Sequence, residues 1–335
     1  MEVLIVTYSN DDQGIDHVTE ALQRKGTNVY RFNTNYYPTQ IQLASHYINN
    51  TEQVKIISED VTHDLAKFDA VWYRRIRIGQ EIPDDMGEEY KVPAIEESKN
   101  TFQGTLASWG IGKFVLDSVA DIRRADNKQL QLKVANRLGL RIPATLVTNS
   151  AEEVKAFARK YPAVISKMQY SFHIYDENDE VYQVFTQKWQ PGELEDISGL
   201  EYSPMIFQEY VEKEFEFRVV IIGDQIFCGK IPSQNSEEGK SDWRKDGDNL
   251  IDDIEPYELP ASIKLKLLHF MDYFGLNYGA IDLIKTPEGK FVFLEINPVG
   301  EFSWLDQAFK LQISEAIANV LMGRARRRNS PLNLY

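Results

Sequence analysis

Residues 278–301 read YGAIDLIKTPEGKFVFLEINPVGE, two apolar runs around TPEGK. Asp282, Glu295 and Asn297 interrupt those runs. If Pro287–Lys290 form a four-residue hairpin loop, Thr286 faces Phe291 and Asp282 lies opposite Glu295. Side chains alternate along a strand, so Glu295 and Asn297 share one face while Val292, Leu294 and Ile296 anchor the other. Two carboxylates and an amide are hard oxygen ligands, the set Mg²⁺ takes when it also holds a substrate's phosphates. Two carboxylates this close also repel, and a divalent cation removes that conflict. A surface hairpin with acids facing water is the competing reading, and spacing alone leaves both open.

Other residues fit a phosphate site. Lys128 falls in the first turn of a helix, where free N–H groups and the dipole favour phosphate. Lys167 interrupts the strand AVISKM, where a core strand should be apolar. Taken alone, each lysine reads as a snorkelling surface residue; together they can flank a triphosphate. In FQEYVEKEFEFRVV a polar hinge separates two apolar strands, and Glu209, Tyr210 and Val211 can offer backbone groups to a purine edge. Glu216 can hold ribose hydroxyls, and Arg218, two residues on, shares its face and reaches toward phosphates. An ordinary charged connection is the alternative for this run.

These residues need a scaffold, and 335 residues suffice for two or three domains. Val3–Val6, Val29–Phe32 and Ala70–Arg74 read as strands, with helices over Ile15–Lys25 and Glu96–Trp109 and a hairpin within 39–58. This is an α/β layer over residues 1–120. Residues 121–203 open with a helix over 127–138, N-capped by Asp126 and stopped by Gly139. They continue with a helix over 151–160 behind the capping box Ser150–Glu153 and a short acidic helix, Glu193–Ile197. Residues 204–335 are strand-rich (MIFQEYV, EFRVVII, QIFCGKI), with helices over 260–274 and 312–322. The polar run 233–249 reads as a functional loop, and the arginine-rich tail from Gly323 as a frayed, solvated end.

Composition limits the function. A formal net charge of −14 argues against a nucleic-acid binder, which needs a basic face. Cys228 is the single cysteine, so no internal disulfide is possible; a reducing cytoplasm is expected, with the thiol packed in the core. The N-terminus MEVLIVTYS reads as neither a signal peptide nor a membrane span.

In order, Lys128, Lys167, the hinge QEYV, Glu216-x-Arg218, Arg244 in DWR, Asp282 and Glu295-x-Asn297 resemble the ATP-grasp ligases along essentially the whole chain. The resemblance implies an α/β (α+β) fold of three domains: a pre-ATP-grasp domain (1–120), a central lid (121–203) and a C-terminal domain (204–335). It implies ATP between the last two. Lys128, Lys167, Arg218 and Arg244 would bind phosphates, Glu209–Val211 adenine, and Asp282, Glu295 and Asn297 Mg²⁺. AVWYRRIRIG, DNKQLQLKVANRLGL, SDWRKDG, FGLNYGAID and FLEINPVGEFSWL look more narrowly like the microviridin-type ligases, which cyclise ribosomally made peptides (graspetides), and closer to the ester-forming members. KMQYSFHIYDE lacks the glycine-rich loop usual in other ATP-grasp enzymes, leaving Ser171 and the 233–249 loop as candidates to cover the triphosphate.

The resemblance implies that ATP activates an Asp or Glu side chain of a precursor peptide as an acyl phosphate, which a Thr or Ser hydroxyl on the same peptide then attacks. Arg74, Arg75 and Arg77 read either as grips for the substrate carboxylate or as a solvated charge run. Glu301 reads either as a group near the acceptor or as a helix-capping acid. Glu193, Glu195 and Asp196 read either as a receiver for a basic leader peptide or as a plain acidic surface. A cytoplasmic homodimer without membrane attachment is expected. The alternatives are an ATP-grasp ligase that adds free amino acids or forms ω-amides, and a nucleotide-binding regulator without chemistry.

Overall fold

The computed structural model describes residues 1–59, 61–169, 173–175, 181–183, 186–190, 192–195, 197–236 and 243–328, with backbone alone at 173–175, 181–183, 244 and 246–248. The first domain carries a parallel sheet in the order Asn28–Asn33, Glu2–Thr7, Ala70–Tyr73, Phe114–Leu116. The strand order reverses beside Glu2–Thr7. The crevice outside the carboxyl ends of its strands is therefore flanked by Tyr8–Asp12 on one side and Arg74–Arg77 on the other. The expected hairpin is Gln42–Ile48 with Thr51–Ile57, extended by Thr62–Asp64. The long helix starts earlier than expected, at Glu88, and contains Pro93. Gly87 precedes it and Pro93 falls at its second turn, so the acidic residues before Glu96 extend it rather than cap it.

The lid sheet runs Gln187–Trp189, Val164–Lys167, Met205–Glu209, Thr145–Thr148. Met205–Glu209 thus pairs with Thr145–Thr148 and Val164–Lys167, across the boundary expected before Pro204. The helix Lys128–Arg137 contributes Val134 and Ala135 to the core built around Phe217, Phe270 and Phe293. The helix N-cap is Asn127 rather than Asp126: its side chain accepts a hydrogen bond from the Leu130 N–H at 2.9 Å. Ser150 caps Ala151–Ala158 as expected.

The C-terminal sheet runs Glu255–Pro256, Gln225–Ile231, Phe215–Ile222, Tyr278–Lys285, Phe291–Asn297. Phe217, Val219, Ile221, Ile281 and Leu283 pack on the helix Ala261–Phe274 through Phe270, Met271 and Phe274. On the other face, Val220, Ile222 and Ala280 share a core with Ile313, Ile317 and Leu321 and with Val3, Ile5 and Val18 of the first domain. One core therefore joins the first and third domains, whereas the lid holds its own around Val154, Val164, Leu194 and Phe207. Cys228 is buried, and burial pushes its thiol pKa up, as expected for a packing residue.

The basic tail is not frayed where it is described. Arg328 is buried, donates to the Asp272 carboxylate at 2.5 Å and to the Gly223 carbonyl at 2.5 Å, and its N–H bonds Asn277 Oδ1. Arg327 lies over the Phe114 ring. Asp117 joins the same seam, accepting from the Asn277 and Tyr278 backbone N–H groups and from Asn277 Nδ2. Burial outweighs these donors and raises its carboxyl to about 7. Among the described residues, no helix is long and apolar enough to cross a membrane.

Candidate active site

The hairpin loop is one residue longer than expected: Lys285, not Thr286, pairs with Phe291, and the Thr286 N–H closes the loop on the Lys290 carbonyl at 2.9 Å. A bulge then restores the register. Leu283 pairs with Phe293, Leu294 is extra, and Asp282 pairs with Glu295 after all. The bulge also changes which residues face the core. Phe293 and Ile296 pack on the helix side, not the expected Val292–Leu294–Ile296 set. Bulges re-aim side chains beside functional sites in this way.

Arg218 pairs in register with Asp282 on the neighbouring strand, and its Nη1 donates to the Asp282 carboxylate at 2.9 Å. Its Nη2 donates to the Glu301 carbonyl at 3.1 Å, and its Nε is buried without a hydrogen-bond partner among the described residues. Glu295 receives the lysines. Lys128 Nζ and Lys167 Nζ each lie 3.5 Å from the same oxygen, Glu295 Oε2, one from the helix start and one from the lid strand. A Cβ built on Gly300 would lie 2.7 Å from Ala280 Cβ, 2.9 Å from Arg218 Nη2 and 3.2 Å from Asn297 Cβ. Asn297 therefore shares the face of Arg218 and Asp282, and a side chain at 300 would crowd it. Asn297 Oδ1 accepts from the Val299 N–H at 3.0 Å, which leaves a second lone pair.

Gln131 fixes the lysine helix to this strand. It is buried, accepts from the Ile296 N–H at 3.0 Å and donates to the Ile296 and Ala125 carbonyls. Gln131→Ala is expected to destabilise the protein by about 2–4 kcal/mol, because it strands buried backbone groups; a denaturant midpoint checks this.

At the hinge, the Glu209 carboxylate accepts from the Ala144 N–H at 3.0 Å, and the N–H groups of Glu209 and Tyr210 donate to the Ala144 and Ala163 carbonyls at 3.0 and 2.9 Å. Lys188 Nζ lies over the Tyr210 ring at 3.5 Å. Glu216 is buried and bonds Lys213 Nζ at 2.6 Å. The side chain of Arg244, together with Asp196 and Ser171, lies outside the described residues.

The arginine run divides. Arg74 is buried, pairs with Asp11 at 3.0 Å and with Asp12, and donates to the Gly300 carbonyl at 3.3 Å. Those partners make it a strut between domains, which corrects its reading as a substrate grip. Arg75 bonds Glu301 Oε1 at 2.9 Å and the Val299 carbonyl at 3.3 Å, and the Glu301 carboxylate, against burial, raises its pKa. Glu301 is thus an ion-pair partner and not a helix cap. Arg77 is exposed, its guanidinium 4.0 Å above the Tyr8 ring in the first-domain crevice. Tyr278 O–H, its pKa pushed up to about 12 by burial, donates to the Gly300 carbonyl at 2.6 Å. Sequence reasoning missed Gln131, Tyr278 and the Asp11–Asp12 pair. Only DD at 11–12, after an apolar strand, carried a signal. Glu193 closes a turn on the Gln190 N–H at 2.5 Å rather than starting a helix, and Glu195 is exposed, 4.0 Å from Lys155.

A family model described as the MvdD pre-ATP grasp domain matches residues 2–123. A solved RiPP-associated ATP-grasp ligase of Chryseobacterium gregarium, in complex with ADP and a leader and core peptide, is similar with TM-score 0.94 and 38% identity over 99% of both chains. The macrocyclase MdnC of Microcystis aeruginosa MRC, bound with precursor peptide MdnA, is similar with TM-score 0.87 and 39% identity over 96% of this chain and 100% of that one. Among curated proteins, the alpha-aminoadipate–LysW ligase LysX of Sulfurisphaera tokodaii is 25% identical over 57% of this chain and 66% of its own length. A probable alpha-L-glutamate ligase of Pseudomonas paraeruginosa is 24% identical over 56% of this chain and 60% of its own. The chain matches less than two thirds of the length of these curated relatives.

Proposed function

The chain belongs to the RiPP-associated ATP-grasp ligases of the microviridin type, and we propose that it closes ω-ester rings in a ribosomal precursor peptide at the expense of ATP. The observation that carries this reading is the convergence of Lys128, Lys167 and Arg218 on the Asp282–Glu295 pair, beside the strand-end crevice of the first domain. Asp282, Glu295 and Asn297 would hold Mg²⁺. Two carboxylates and one amide oxygen suit an ion that keeps waters and phosphate oxygens in its shell. When bound, that ion neutralises charge on the transferring phosphoryl group.

Lys128, Lys167 and Arg218 hold the phosphates, and Arg244 of the DWR segment is assigned to the same task from its place in the sequence alone. Because both lysines already balance a carboxylate, a phosphate entering there exchanges one ion pair for another instead of burying lone charge. The backbone of Glu209–Val211 holds the purine, and Glu216 the ribose. An Asp or Glu carboxylate of the precursor attacks the γ-phosphate, ADP leaves, and the cationic side chains stabilise the charge. A Thr or Ser hydroxyl then attacks the acyl carbon. Its proton passes to phosphate or a base, and phosphate leaves. Holding both ends in one site contributes up to about 7–11 kcal/mol.

Arg77 on Tyr8 is the grip for the substrate carboxylate, and Arg75–Glu301 borders the acceptor. The acidic turn with Glu193 and Glu195 receives a basic leader, with Asp196 added from its place in the sequence alone. The homodimer belongs to the same proposal.

Incubation with ATP, Mg²⁺ and a leader-bearing peptide with a Thr/Asp core is expected to remove one water per ring, read by mass spectrometry. Mild base should reopen the rings, because esters hydrolyse and amides persist. An added amino-acid residue instead would favour the free-amine ligase reading, and base-stable rings the ω-amide one.

A further inference from the structure

Beside Arg218 stands Trp304, and against Trp304 stands Trp243, two large apolar side chains that the phosphate and metal chemistry does not use. Trp304 occupies the first turn of the helix Ser303–Ala308, between the fully buried Phe302 and Leu305. Its ring centroid lies 5.8 Å from the Arg218 guanidinium carbon. Trp243, the one aromatic residue of the polar run 233–249, sets its ring 5.0 Å from that of Trp304, tilted by 54°. Both pack on the core shared by the first and third domains, and both keep part of their surface accessible. The helix that carries Trp304 is fixed from behind. A Cβ built on Gly229 would come within 2.3 Å of Leu305, so the strand behind this helix has room for glycine only.

We propose that the Trp243–Trp304 pair is the water-excluding wall of the reaction chamber and sets how the acyl phosphate divides between ring closure and hydrolysis. This rests on the function proposed above. The two outcomes share one electrophile. Attack by the peptide hydroxyl forms a C–O bond to Thr or Ser, breaks the acyl C–O bond to phosphate and transfers one proton to the departing phosphate or a base. Attack by water breaks the same bond and returns the free carboxylate, so the ATP is spent without a ring. The side chains that line the intermediate decide which nucleophile is present. Two indole faces offer water little to bond to, since each indole carries a single donor. Closing a site to water is a recognised way to protect a reactive intermediate. The Trp304 ring also faces the Arg218 cation, an attraction that grows when the pair is desolvated. Arg218 itself stays held by Asp282 and the Glu301 carbonyl, so the wall can be changed without removing the arginine from its place.

The test counts phosphate released per ring closed, with the whole protein, ATP, Mg²⁺ and the precursor peptide. In parallel, reaction in heavy-oxygen water is read for label in the peptide's unclosed Asp and Glu side chains. Trp304→Ala is expected to raise phosphate per ring by at least about threefold and to put label into those carboxylates, with the KM for ATP little changed. Trp304→Phe should return the ratio toward that of the unchanged protein, because it restores an apolar face. Trp243→Ala, on the far ring, is read the same way and keeps the test available if Trp304→Ala does not fold. Ring closure and phosphate release falling together in both alanine variants, at an unchanged ratio and without label, would overturn the proposal while leaving the function above intact. An unchanged protein that consumes no ATP on any such peptide would overturn the function and this proposal with it.

Discussion

Glu295→Gln should abolish ATP-dependent turnover while leaving the fold intact. The substitution keeps shape and removes only charge, yet this carboxylate stands between everything that matters. It lies opposite Asp282, and its Oε2 sits 3.5 Å from both Lys128 Nζ and Lys167 Nζ. An amide neither attracts a divalent cation as strongly nor balances two ammonium groups. The side chain is about a quarter exposed, so water can compensate in the resting protein. It cannot do so at the moment of phosphoryl transfer. The expected loss in kcat is at least about 10²–10³-fold, the scale seen when one preorganised electrostatic contact is removed. The thermal midpoint should barely move. A midpoint that falls with the activity would mean that the residue serves the fold, and full activity would refute its assignment as a metal ligand.

Arg218→Lys is the second large effect. Lysine keeps the charge, but one ammonium cannot bridge the Asp282 carboxylate and the Glu301 carbonyl, which the two guanidinium nitrogens do at 2.9 and 3.1 Å. It also gives up the planar face toward Trp304. We expect kcat to fall by about 10²-fold with a smaller change in the KM for ATP, since the contact serves the developing charge more than ground-state binding. Arg218→Ala should in addition destabilise the fold by about 1–3 kcal/mol, because it leaves Asp282 and a carbonyl without their donor. Steady-state kinetics on the two variants, with a denaturant midpoint for each, separates the two effects. A lysine variant with unchanged kcat would remove Arg218 from the phosphate site.

The pairing of Asp282 with Glu295 was legible in the sequence only because two departures from ideal geometry cancel. The loop after Lys285 is one residue longer than the expected turn, and the bulge at Leu294 gives that residue back. Nothing in FVFLEIN marks a bulge, since no glycine stands there and alternation reads straight through it. The bulge shows in the packing, where Phe293 and Ile296 reach the same core. Lys167 was legible as a polar intrusion in a strand that should be apolar, and Lys128 from its place in the first turn of a helix. The strand that closes the lid was legible as a strand but not by partner. MIFQE is equally apolar beside either domain, and only its pairing with Thr145–Thr148 and Val164–Lys167 decides.

Long-range ion pairs were the least readable. Arg328 meets Asp272, 56 residues away, and a basic tail gives no hint of that partner. Arg74 looked available for a substrate because its sequence neighbours are basic, while the acids that occupy it follow the first strand, 62 and 63 residues earlier.

We propose that this site activates a peptide side-chain carboxylate by phosphorylating it. A precursor peptide carrying heavy oxygen in its Asp and Glu side chains tests this most directly. For each ester ring closed, one labelled oxygen should leave with the phosphate, because the carboxylate oxygen that attacked ATP is the one later expelled. Ring closure that yields unlabelled phosphate, with the label in AMP or retained in the peptide, would contradict it.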